Sequence, residues 1–133
     1  LICGLRNLNV DQIFVSNRTL ENAKKLKQIF NFIKIIEWGK VEDCDLYINS
    51  TSVGLRDGEK FDFDFKPLVG DKTFYDVIYN PSKTSFLQEA EKLNHKIING
   101  RDMFIFQAQE AFKLWHNIQP KIDQKLIEYL YND

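Results

Sequence analysis

Cysteine and methionine are nearly missing from this sequence: two of the first and one of the second in 133 residues. Cys3 and Cys44 are too few for a disulfide scaffold and lack the clustering of a zinc site, so a reducing, cytoplasmic compartment is expected. Three prolines and six glycines rule out a collagenous or low-complexity chain. No sign of charge dominates. Eighteen basic and nineteen acidic side chains leave a net −1, which provides no global field for nucleic acid or an anionic membrane. Unbroken apolar stretches run only a few residues, too short for a spanning helix. What remains is 44% hydrophobic and 28% charged, the balance of a globular chain of one-domain length.

The chain opens on Leu1-Ile2-Cys3-Gly4-Leu5, without an initiator Met or a charged leader, so no signal peptide is expected. Leu1, Leu5 and Leu8 form one stripe of a helix that has no start signal. The expectation is a sequence that begins inside an element whose first part lies elsewhere. Strands are predicted at Gln12–Ser16, Phe32–Glu37, Asp45–Asn49, Thr73–Ile78 and Lys96–Asn99. Helices are predicted from an N-cap at Thr19 through Phe30, from about Thr84 to Leu93, and as an amphipathic stretch over Met103–His116. Pro120 is expected to start a last helix, about 121–131, with Ile122, Leu126, Tyr129 and Leu130 on its apolar face. Leu55–Lys72 shows no clean period and reads as a surface excursion. Short strands alternating with helices argue for βαβ crossovers and a doubly wound α/β fold with a mostly parallel sheet.

In such sheets ligands bind beyond the carboxyl ends of the strands. That rule selects Asn17-Arg18-Thr19, Asn49–Gly54, Tyr79-Asn80-Pro81 and Asn99-Gly100. Arg18 stands out in a chain with fourteen Lys and only four Arg. A guanidinium after the second strand of a dinucleotide-binding fold suits a 2′-phosphate and favours NADP over NAD. The bland alternative is a solvated surface arginine. Asn49-Ser50-Thr51-Ser52-Val53-Gly54 could embrace a ribose or nicotinamide, or be a Ser/Thr turn. Tyr79, Gln107 and Gln109 are neutral donors and acceptors suited to a polyhydroxylated substrate, although Gln on such a helix is often its polar edge. His95 and His116 lack metal spacing and receive no role. Asp43 and Asp45 beside Cys44 read as a solvated acidic loop rather than a metal site.

Taken in order, these loops resemble the carboxyl-terminal, nucleotide-binding half of shikimate dehydrogenase. The resemblance rests on Val15-Ser16-Asn17-Arg18-Thr19, Ile48–Leu55, Tyr75-Asp76-Val77-Ile78-Tyr79-Asn80-Pro81 and Thr84-Ser85-Phe86-Leu87. It continues through Asn99-Gly100, Met103, Gln107-Ala108-Gln109, Ala111-Phe112 and Trp115. It implies an NADP-dependent oxidoreductase with a Rossmann-type fold, reducing 3-dehydroshikimate reversibly on the route to chorismate and the aromatic amino acids. Asn17, Arg18 and Thr19 would hold the adenosine 2′-phosphate and ribose, and Thr51 and Ser52 would line the dinucleotide path. Val77, Gly100 and Met103 would meet the nicotinamide, Gly100 through its backbone. Tyr79 and Gln107 would reach the substrate. Asn22 stands where many members add a basic residue, with Lys24 and Lys25 as substitutes.

The family's Gly-rich pyrophosphate turn and its Lys–Asp proton-transfer pair have no counterpart here, so the isolated chain is expected to be inactive. Leu1 to Leu8 look like the far end of the helix that follows that turn. In the 3-2-1-4-5-6 order, loss of the central strand leaves its two neighbours either closing on each other or flanking a slot. The implied partners are shikimate or 3-dehydroshikimate, the amino-terminal substrate domain toward which the last helix packs, and a second copy of the chain. Two further readings stay open: a non-catalytic nucleotide-binding or interaction module, and a quinate/shikimate dehydrogenase.

Overall fold

A computed structural model describes residues 1–131, with side chains as far as Tyr129, so the apolar role expected of Leu130 lies outside the described residues. Strands and helices alternate through most of the chain: α1 (Ile2–Asn7), β1 (Phe14–Val15), α2 (Leu20–Ile29), β2 (Lys34–Ile35), β3 (Leu46–Asn49), β4 (Thr73–Asp76), α3 (Ser85–Lys92), β5 (Lys96–Ile98), α4 (Arg101–His116) and α5 (Gln124–Tyr131). All strand pairs are parallel. They form two sheets, β1-β2 and β3-β4-β5, so the two strands expected to flank a central one belong to different sheets.

Two compact units contain these elements: Leu1–Asp45 with Phe61–Gly70, and Leu46–Lys60 with the chain from Asp71 onward. In the first, α2 is the crossover between β1 and β2. Ala23 faces inward at 0% exposure, and Ile13 and Ile33 complete the buried apolar set near the strands. The ladder is shorter than predicted. Lys34 N donates to Ile13 O and Ile36 N to Val15 O, and the pairing ends there. The stretch expected to be a surface excursion also contributes to this unit. Phe61, Phe63 and Phe65 alternate with Asp62 and Asp64, a period-two pattern. Phe65 is buried, and the Phe63 ring lies 4.9 Å from that of Trp38. The extended segment turns its aromatic side inward without joining a strand ladder.

In the second unit, β4 runs between β3 and β5 and its residues alternate in burial. Phe74, Asp76 and Ile78 are buried; α3 packs from that side with Phe86, Leu87 and Ala90. Phe74 collects Tyr47, Phe86 and His95 around its ring at 4.7, 5.2 and 5.4 Å. Thr84 caps α3 by accepting from Leu87 N, as Ser/Thr caps do. The last helix begins at Gln124 rather than near Pro120, because Asp123 caps it by accepting from Leu126 N at 2.9 Å. The Met103–His116 stretch is helical but hardly amphipathic: only Ile105 is buried, while Leu114 and Trp115 are 83% and 79% exposed. Asp102, Gln109, Lys113 and His116 share one side of the helix, and its apolar residues spread over the rest.

Phe74→Ala is expected to destabilise the protein by about 3–5 kcal/mol, the usual cost of emptying a buried aromatic site. Urea unfolding followed by circular dichroism measures it; a loss below about 1 kcal/mol would contradict the central place of Phe74.

Candidate functional site

Candidate residues occur in both units, and each group is built by its own unit. In the first, the chain leaves β1 at Ser16, whose hydroxyl donates to Glu37 O at 3.4 Å. Asn17 Oδ1 accepts from Thr19 N at 2.9 Å, an Asx turn that leads into α2. Thr19 is the N-cap residue in extended conformation, but its side chain makes no capping bond. Between them Arg18 is exposed and, among the described residues, has no hydrogen-bond or ion-pair partner. The turn is therefore self-supporting and leaves the guanidinium available. Of the two lysines named as substitutes for Asn22, Lys24 pairs with Glu21 at 2.7 Å and Lys25 is exposed. The Lys24–Glu21 pair is itself open to solvent, so it competes only weakly for the ammonium group. A cavity lined by Arg6, Val10, Asp11, Ile13 and Phe32 lies at the opposite, amino end of β1 and includes no candidate residue.

In the second unit, the polar loop after β3 folds upon Asn49. Thr51 donates to Asn49 Oδ1 from both its N–H (2.9 Å) and its hydroxyl (2.8 Å). The same hydroxyl accepts from Val53 N at 3.1 Å, so Thr51 serves the turn that the sequence left as an alternative. Ser52 beside it is exposed. Asn49 Nδ2 donates to Val53 O and to both carboxylate oxygens of Asp76 at 3.1 and 3.0 Å. Asp76 is fully buried and also accepts from Thr84 Oγ1 at 2.6 Å and Ile78 N at 2.9 Å. Gly54 packs into the same cluster with a φ of +103°, and a Cβ there would sit 3.0 Å from Thr84 Cβ.

The exits of β4 and β5 meet closely. Gly100 N donates to Ile78 O at 3.0 Å, and Gly100 O accepts from Phe104 N at 3.0 Å. A Cβ on Gly100 would lie 1.9 Å from Val77 O, an overlap that only glycine avoids. Both polar backbone groups of Gly100 are thus engaged, and its free capacity is the second lone pair of the carbonyl. Val77, whose backbone abuts Gly100, and Met103, in the first turn of α4, are both half-buried. Tyr79 stacks on Phe104, and Gln107 is exposed one turn further along α4. Gln109 has one of its two amide donors engaged, since its Nε2 donates to Pro120 O at 2.8 Å. Sequence reasoning gave no individual role to Asp76 or Phe104; the pairing of Asn49 with Asp76 spans 27 residues and has no local signature. Tyr75 on β4 has its phenol pushed above the usual range by burial, and further by the carboxylates of Asp102 and Asp76. His95 stacks flat on Phe74, and its buried Nε2 has no partner among the described residues. Among those residues no group of three His, Cys, Asp or Glu could hold a metal ion.

Parallel strands, helical crossovers and polar loops following the strand ends define a Rossmann-type α/β protein. No family model matches the chain. Its relatives are NADP-dependent shikimate dehydrogenases, to whose carboxyl-terminal part it corresponds. The enzyme of Pelagibacter ubique is 43% identical over 130 residues, covering 98% of this chain and 49% of the relative. That of Caldicellulosiruptor saccharolyticus is 44% identical over 137 residues, covering 97% and 49%. Thermus thermophilus shikimate 5-dehydrogenase, solved with NADP(H) and shikimate, superposes with a TM-score of 0.75 at 29% identity, covering 88% of this chain and 44% of that one. The chain spans about half the length of the curated relatives it matches.

Asp76→Ala leaves three donors facing an apolar gap, and is expected to cost at least about 3 kcal/mol. The exposed control Asp45→Ala is expected to stay within about 0.5 kcal/mol. Paired denaturation curves would settle it, and equal midpoints would refute the network's importance.

Proposed function

We propose that the chain is the NADP-binding half of a shikimate dehydrogenase serving the reversible, NADPH-dependent reduction of 3-dehydroshikimate to shikimate. The identity of 43% and 44% to dehydrogenases of that name, along 98% and 97% of the chain, supports this most directly. The cofactor, when bound, supplies the hydride. The residues of this chain bind and orient. Arg18, exposed and without a partner among the described residues, offers two parallel donors to the 2′-phosphate, with Asn17 and Thr19 at the ribose. Ser52 provides a hydroxyl along the dinucleotide path, and Thr51 shapes that path through its bonds to Asn49. Val77, Gly100 and Met103 form the nicotinamide end, where Gly100 keeps the backbone close. Tyr79 and Gln107 face the substrate's hydroxyl and carboxylate region.

Proton transfer needs a group that this chain does not supply by position, so turnover requires a Lys–Asp pair from an amino-terminal substrate domain. Leu126 and Tyr129, 39% and 76% exposed on α5, support the reading that this helix packs toward such a domain. The pyrophosphate also lacks its Gly-rich turn within these residues. Several lost hydrogen bonds to a charged group, each worth about 1.5–3 kcal/mol, weaken binding on the order of 10³-fold or more.

The test is a paired one. The full-length product of the gene that encodes this chain is expected to oxidise shikimate with NADP+. The 133-residue chain alone is expected to show negligible NADPH binding by fluorescence titration. Absence of activity in the first would overturn the reading, and a micromolar Kd in the second would overturn the division of labour.

A further inference from the structure

We propose that Phe104 is a positioning residue for substrate, holding the Tyr79 phenol in register with Gln107. This rests on the functional reading above. The Tyr79 and Phe104 rings are stacked with centroids 4.5 Å apart and planes 24° from parallel. Each is 40% exposed, so the pair lies outside the core built on Phe74. A tyrosine at the end of a strand, half in solvent, would otherwise sample several rotamers. Offset stacking against a fixed aromatic face restricts that freedom and sets the direction of the hydroxyl.

The face is fixed because the backbone beneath it is. Phe104 N donates to Gly100 O in the first turn of α4, Gly100 N is bonded to Ile78 O, and the neighbouring Ile105 is buried. Gln107 follows three residues later, so helical geometry places it on the adjoining turn of the same face. One short rigid segment therefore carries both the ring that aims Tyr79 and the exposed carboxamide of Gln107. A phenol and a carboxamide suit a compact, hydroxylated carbon ring bearing a carboxylate. The two polar groups take its hydroxyl and carboxylate.

Steady-state kinetics on the full-length gene product test the assignment. Phe104→Ala and Phe104→Leu are expected to raise the KM for shikimate about three- to tenfold, the range set by one aromatic pair. The KM for NADP+ is expected to stay within about twofold, because Tyr79, which the ring aims, serves substrate and not cofactor. Phe104→Tyr keeps a flat ring and is expected to restore the shikimate KM. Thermal midpoints for all three variants separate misfolding from mispositioning, and Leu retains bulk should Ala fail to fold. An unchanged shikimate KM in the Leu variant, or a parallel rise in both KM values, would overturn the assignment. No shikimate oxidation by the unsubstituted protein would instead overturn the functional reading on which it rests.

Discussion

Asp76 is fully removed from water, and a buried carboxylate is costly unless donors surround it. The donors come from three separate places in the chain: Asn49 at the end of β3, Ile78 just past β4, and Thr84 at the start of α3. One charge thereby ties the exit of one strand, the bend after its neighbour and the entry of a helix. Asn49 extends the tie, since its amide nitrogen faces Asp76 while its oxygen organises Thr51. The loop Asn49–Gly54 cannot slide relative to β4 without unmaking these bonds. Its shape is a consequence of long-range satisfaction and not of its own sequence.

That distinction explains what the sequence could and could not convey. The Asn17-Arg18-Thr19 turn was legible because its stabilising bond spans two residues and its cap precedes a periodic helix. The Thr84 region was legible as a helix start for the same local reason, but its hydroxyl's bond to Asp76 was not. Phe61 to Phe65 carries a period-two pattern yet lies outside the described strand ladders, so periodicity alone could not decide between ladder and loop. Pro120 is a favourable first helical residue, yet Asp123, with a side chain able to accept from Leu126 N, wins the position. Gln109 read as a free polar group until the chain turned back and presented Pro120 O. Each miss concerns a partner distant in sequence or a choice between two good local signals.

The first unit shows the opposite economy. Its turn pairs the Asn17 carbonyl oxygen with the Thr19 amide and leaves Arg18 without a partner among the described residues. The exposed Lys24–Glu21 pair nearby is worth little in water. A guanidinium left free on a well-braced turn is pre-organised: the loop need not rearrange to present it. An anion bound there would depend strongly on ionic strength, because Arg18 is exposed to solvent counterions.

From Asp76 the consequences continue along β4 to α4. The bond to Ile78 N fixes the chain just as Val77 passes beneath Gly100, where any side chain would collide with the Val77 carbonyl. Gly100 is thus required by packing, whatever it also does for a ligand, and it sets the point from which α4 departs. Because α4 is a helix, that departure fixes the azimuth of Met103, Phe104 and Gln107 together. The three side chains nearest the proposed chemistry therefore inherit their placement from a buried carboxylate three elements earlier. A perturbation at Asp76 and one at Gly100 should accordingly displace the same groups, whereas a change at Phe104 acts after them and touches only Tyr79.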